Sequence, residues 1–164
     1  MPSRRKTREF VLQVLFAADA TKQDAVELLA FLKRHFASDE EEVIKLHRVV
    51  DDYATDLVDA VSQNRELIDN VISTLSHRWK LYRINRVDRN ILRMAIAEIV
   101  SFHNIPGPVV LNEAIEIGKR YGGENSASFI NGILDRIQSV QPRPSSVAQL
   151  KELISTLDLS CPTG

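Results

Sequence analysis

Apolar side chains recur every three or four positions along most of this chain and nowhere alternate with period two, so the pattern predicts helices and no strands. The stretch that organises the rest is Asn112–Asp135, NEAIEIGKRYGGENSASFINGILD. Ala114, Ile115, Ile117 and Gly118 hold helical spacing up to Gly122-Gly123, which are expected to end the helix by supplying positive φ. A second helix follows, with Asn125 or Ser126 as its cap and Phe129, Ile130, Ile133, Leu134 and Ile137 on a broad apolar face. Asn131 and Gly132 interrupt that face. A mid-helix glycine costs about 1 kcal/mol relative to alanine, so the pattern implies that another backbone or a ligand comes close there.

The earlier segments read the same way. Residues 4–19, RRKTREFVLQVLFAAD, form a first helix with Phe10, Val11, Val14, Leu15 and Ala18 on one arc. Leu12 and Phe16 fall on another flank, so either the helix is central to a bundle or these two meet a partner protein. Asp24 with Glu27 has the form of a capping box before a second helix, and Ser38 with Glu41 repeats it before a longer one expected to run to Gln63. Together these make a three-helix unit. Residues 65–76 give a fourth helix. Trp79, Leu81 and Ile84 fold the connection onto the core, and Arg86–Phe102 follows with Val87, Ile91, Met94, Ala95, Ile99 and Phe102 inward. Ile105-Pro106-Gly107-Pro108 stops that helix and starts the next. After Gln141 the texture changes to PRPSS and a short amphipathic segment with Val147, Leu150, Leu153, Ile154 and Leu157. This divides the chain into a helical domain over 1–141 and a linker with a C-terminal extension over 142–164, which either docks on the bundle or bridges to a second copy. The fold class is all-α, about seven helices and a short helical tail.

A chain of 164 residues buries a core without disulfides or metals, and Cys161 is the only cysteine. That favours a reducing compartment. No signal peptide is read, and no apolar run approaches the roughly eighteen residues that span a membrane, so the expected location is the cytoplasm and no membrane contact is expected. Net charge is −1, but the charges are segregated. Arg4, Arg5, Lys6 and Arg8 stand together without an acid, and Arg78, Lys80, Arg83, Arg86, Arg89 and Arg93 are opposed only by Asp88. Residues 22–69 are acidic overall. The map suggests one surface for a polyanion, against the alternative of ordinary solvated helix faces. Basic residues at the start of the first helix oppose its dipole, and a bound anion would offset that.

Nothing in the chain is built for catalysis. His35, His47, His77 and His103 are scattered without a metal-ligand spacing, and there is no Walker loop, dinucleotide fingerprint or nucleophile elbow. The paired acids sit on solvated helical surface. No enzyme and no cofactor are expected.

Four segments, RRKTREFVLQVLF, RVDRNILRMAIAEI, LNEAIEIGKRYG and SFINGILD, taken in order and at these spacings, resemble the NusB family of bacterial transcription antitermination factors. The resemblance spans about residues 1–140. It implies two small helical bundles packed together and binding of the boxA element of single-stranded RNA. It also implies joint action with NusE, a small-subunit ribosomal protein, in an RNA polymerase antitermination complex that serves ribosomal RNA synthesis. The RNA contacts it implies are Arg4, Arg5, Lys6, Arg8 and Gln13 on the first helix, then Asn125, Ser126, Phe129 and Asn131. The partner-facing positions are Leu12, Phe16, Arg83 and Asp88.

The residue chemistry agrees: arginines neutralise phosphates and stack on bases, Gln13 and Asn125 can pair with base edges, and Phe129 either stacks a base or packs in the core. The cluster over 78–93 either extends the RNA track or divides between partner and solvent. The Gly-Gly break with the helix after it is expected to form one wall of the RNA site, with the first-helix arginines as the other. Phe16 stands where the family often has Tyr, Asn125 where it often has an acid, and the tail from Pro142 lies outside the resemblance. Two other readings remain in view. One is a homodimeric protein–protein adaptor. The other is the accessory RNA-binding domain of an rRNA cytosine methyltransferase, which needs a downstream α/β domain and a catalytic cysteine that this sequence does not hold.

Overall fold

The computed structural model describes residues 3–35, 52–76 and 80–156. Among them lie eight α-helices: α1 (Arg4–Thr21), α2 (Ala25–His35), α3 (Asp52–Gln63), α4 (Arg65–Leu75), α5 (Arg86–Ser101), α6 (Gly107–Tyr121), α7 (Ser126–Gln138) and α8 (Val147–Thr156). A single 3-10 turn, Leu81–Arg83, precedes α5. The described residues contain no strand, and the fold is all-α. The Ser38–Glu41 capping box, the first part of the helix expected to reach Gln63, Trp79, His47, His77, Leu157 and Cys161 lie outside the described residues. The chain divides into two compact units, residues 1–63 and 64–164.

In the first unit α1, α2 and α3 pack against one another. Ser3 caps α1 by accepting the Lys6 amide at 3.3 Å. The helix continues past the expected end at Asp19 and stops at Lys22, whose φ of 58° is left-handed. The Lys22 amide then closes onto the Ala18 carbonyl, so the turn is a C-cap made without glycine. Asp24 accepts the Glu27 amide at 3.0 Å and opens α2, as the capping box predicts. Val11, Val14, Leu15, Ala18, Leu29, Leu57, Val58 and Val61 are buried. Leu12 is buried too, at 4 % exposure, which corrects its assignment to a partner-facing flank: α1 is enclosed on more than one side, and only Phe16 of that pair reaches solvent.

In the second unit α5 is the central helix, touching α4, α6, α7 and α8. Every residue from Asp88 to Val100 is buried. A single inward face therefore understates this helix, and its buried Arg89, Asn90 and Arg93 each have an internal hydrogen-bond partner. Arg93 donates to both carboxylate oxygens of Asp69 at 2.7 and 3.0 Å and to the Asn90 side chain at 3.1 Å, joining α5 to α4. Arg89 donates to the Leu81 and Ile84 carbonyls and holds the 3-10 turn. The tail is tied down as well. Val147, Leu150 and Ile154 are buried where α8 packs on α4 and α5. Arg143 donates to the carbonyls of Ile99, Phe102 and Ile105, at 2.9, 3.2 and 2.7 Å, around the C-terminal end of α5.

The α6–α7 corner departs from expectation in its backbone. Gly122 has φ −91° and ψ −174°, extended rather than left-handed, so positive φ is not what requires glycine. What requires it is space: a Cβ at Gly122 would run into the side chain of Ser126 and lie 2.7 Å from the Gly118 carbonyl oxygen. Gly118 is the close-packing glycine of α6, where a Cβ would lie 2.8 Å from Ile130 Cδ1. Gly132 is not one. Nothing among the described residues lies within 4 Å of where its Cβ would be, which overturns the expectation of a neighbouring backbone there.

Candidate nucleic-acid interface

The candidate residues fall into two groups, one on each unit. On the first unit Arg4, Arg5 and Lys6 are exposed in the opening turn of α1, which carries no acid. Gln13 is exposed two turns further along. Arg4 is held over the ring of Tyr53, its guanidinium carbon 4.6 Å from the centroid, and Arg8 lies 5.8 Å from the same ring. Arg8 is only 4 % exposed, which corrects its place among the RNA-facing cations: its charge is turned inward beside Tyr53. Tyr53 was not singled out from sequence, although its ring orients Arg4.

The second group lies around a concave pocket of about 350 Å³. It is lined by Arg83, Ile84, Asn85 and Asp88 from the start of α5 and by Gly123, Glu124, Asn125, Ser126 and Phe129 from the start of α7. The local sequence explains why these meet. The break at Gly122-Gly123 lets Ser126 tuck under the corner, where its Oγ accepts the Gly123 amide at 2.8 Å. Its hydroxyl hydrogen-bonds the carboxylate of Asp88. Ser126 is 3 % exposed, so it positions the corner and Asp88 rather than presenting itself to a ligand, a correction to its reading as an RNA contact. Neither Asn125 nor Ser126 caps α7 with its side chain in the usual way: the Asn125 side chain makes no capping bond and is exposed. Asn85, by contrast, caps α5 through Val87 N at 2.8 Å.

Asp88 is 7 % exposed, and its Oδ1 has no hydrogen-bond partner among the described residues. Burial pushes its carboxyl above the ordinary value of 3.8, while the Ser126 hydrogen bond works in the opposite direction. Phe129 is half-buried, in the pocket wall, and Asn131 is exposed. The cluster over 78–93 is split by burial: Arg89 and Arg93 serve the interior, whereas Lys80, Arg83 and Arg86 are exposed. Glu124, Asn85 and Ile84 belong to the pocket and were not singled out from sequence, because nothing in their spacing joins them to Asp88 and Phe129. Tyr82, 69 % exposed beside Arg83, was missed for the same reason.

The remaining chemistry is structural. His35 stacks on Phe31 with centroids 3.8 Å apart, and His103 Nε2 lies 3.2 and 3.1 Å from the Val100 and Pro144 carbonyl oxygens. Among the described residues no group of three His, Cys, Asp or Glu side chains could hold a metal ion, and no helix is long and apolar enough to cross a membrane.

Comparison with known proteins identifies the family. Transcription antitermination protein NusB of Citrifermentans bemidjiense is 41 % identical over 139 residues, covering 85 % of this chain and 96 % of that protein. The protein of the same description from Geotalea daltonii is 42 % identical over 142 residues, 87 % and 98 % of the two chains. A solved structure of NusB from T. maritima superposes with a TM-score of 0.70 at 34 % identity, covering 94 % of this chain and 99 % of that one. The sequence profile of the NusB family matches residues 5–139, and the chain belongs to that family.

Proposed function

We propose that this chain is a non-enzymatic RNA-binding transcription antitermination factor that takes boxA-type single-stranded RNA together with NusE and supports ribosomal RNA transcription. The observation that carries the RNA reading is the opening turn of α1. Arg4, Arg5 and Lys6 stand exposed at the positive end of an 18-residue helix with no acid among them. Cations there oppose the helix dipole, a cost of some tenths of a kcal/mol that a polyanion offsets. Arg4, Arg5, Lys6 and Gln13 then contact the backbone and bases from the first unit, and Asn125, Phe129 and Asn131 from the second. Phe16, 38 % exposed, Arg83 and Asp88 are the positions assigned to NusE.

The test is titration of labelled boxA RNA with the protein, alone and with NusE, across a salt series. Affinity should fall as salt rises, because neutralised phosphates release counterions, and NusE should tighten the complex. Arg5→Ala and Phe129→Ala should each weaken it. Binding that ignores salt, or no binding even with NusE present, rejects the reading.

A further inference from the structure

The basic start of α1 carries an internal cost. Arg4 and Arg8 stand one turn apart on the same helix face, where like charges repel, and Arg4 also faces the positive end of the helix dipole. A counterweight comes from α3, which packs on α1 within the first unit. The guanidinium carbons of Arg4 and Arg8 lie 4.6 and 5.8 Å from the centroid of the Tyr53 ring, both within the range over which the negative face of an aromatic ring attracts a cation. The ring is itself fixed. Tyr53 is half-buried with its phenolic oxygen inside, and Ala54, Leu57 and Val58, all buried, anchor α3 around it. The two arginines differ in what they offer a ligand. Arg8 is enclosed, whereas Arg4 is exposed, so the ring steadies one cation that an incoming molecule can reach.

From this arrangement we propose that Tyr53 is a positioning residue for RNA binding: its ring holds the Arg4 guanidinium, before any RNA arrives, where the polyanion will meet it. The proposal rests on the RNA-binding reading above and adds to it a residue that acts only through Arg4. A long side chain loses rotamer freedom when it is immobilised by a ligand, and an arginine already held by folding loses less. The ring acts through its face rather than its hydroxyl, so phenylalanine should serve as well as tyrosine. Loss of the face should matter only while Arg4 is present. Lys6 is the control, because a residue two positions along a helix points to another side.

The experiment titrates the full chain with the labelled boxA RNA at one fixed salt concentration, pairing substitutions at positions 53 and 4. Tyr53→Leu should weaken binding by about threefold and Arg4→Ala by at least as much, with the double variant no weaker than Arg4→Ala alone. Tyr53→Phe should bind as the wild type does. Tyr53→Leu combined with Lys6→Ala should instead give the product of the two single effects. Because leucine also alters packing, fluorinated phenylalanines at position 53 provide a second series, which keeps the size of the ring and drains its negative face. Affinity should fall with each added fluorine while Arg4 is present and stay level in Arg4→Ala. A Tyr53→Leu effect that persists undiminished in Arg4→Ala, or affinity that ignores fluorination, overturns the proposal and leaves the contact to the fold alone. Tighter binding by Tyr53→Leu overturns it as well, since the ring would then be withholding Arg4 from the RNA. If Arg4→Ala binds as tightly as the wild type, the RNA reading stands and the role of Tyr53 falls. Failure of the wild type to bind overturns both.

Discussion

Asp88 sits where charge is costly, and the sign of that cost gives a pH test. Because its folded carboxyl titrates above 3.8, the folded state holds a proton that the unfolded chain has already released as pH rises past that value. Its contribution to stability is therefore largest below 3.8 and is lost as pH climbs to the raised value, beyond which it stays flat. Asp88→Asn should melt higher than wild type at neutral pH, and thermal melts near pH 3.5 should show the difference shrinking towards zero. A second residue-scale outcome follows from Gly122. A methyl there collides with Ser126 and crowds the Gly118 carbonyl, so Gly122→Ala should cost about 1–3 kcal/mol in chemical denaturation. The substitution should also weaken RNA binding, since it displaces the corner that leads into Asn125 and Phe129. Neither residue announced this role in sequence. Gly122 was visible as a helix end, but the reason for glycine is a contact with a residue four positions on, which spacing does not reveal.

Elements were the most legible scale, and their limits have a physical cause. Helical periodicity and capping signals locate α2, α4, α6 and α7 because each is amphipathic, with one face to bury. The same signals misjudge α5, whose buried Arg89, Asn90, Arg93 and Glu98 read as solvated positions until their partners are seen. Arg93 meets Asp69 across 24 positions of sequence, a pairing no local pattern encodes. Arg143 is the sharper example. In sequence it belongs to a Pro-Ser connection, whereas in the structure it donates to three carbonyls at the end of α5, from 38 to 44 positions away. Helix ends leave carbonyls unpaired, and a charge-assisted bond to each is worth more than one to water. Arg143→Ala should lower stability by about 2 kcal/mol, read by thermal or denaturant unfolding, and should loosen α8 first. Hydrogen exchange should show faster amide loss at residues 147–156 than in α6, while RNA affinity stays near wild type.

Across the whole molecule the informative quantity is the placement of charge rather than its sum. A net charge of −1 predicts no affinity for a polyanion, yet Arg4, Arg5 and Lys6 form an exposed acid-free turn, and Arg89 and Arg93 of the basic cluster near α5 are withdrawn into the interior. Sequence shows the first fact and hides the second, because burial of an arginine depends on the partner it meets. The α1 turn therefore carries a prediction with two readouts of opposite sign. The variant that tests it is Arg5→Ala with Lys6→Ala, which leaves the contact of Arg4 with Tyr53 in place. Removing two cations from a helix N-terminus should leave thermal stability equal or raise it by some tenths of a kcal/mol, since the dipole no longer faces like charge. The same change should remove two phosphate contacts, reducing the slope of log affinity against log salt by about 1.4 for single-stranded RNA. A variant that loses stability and affinity together would mean that the turn is structural. One that keeps its stability while the salt slope flattens shows that these cations are held in place for the polyanion they bind.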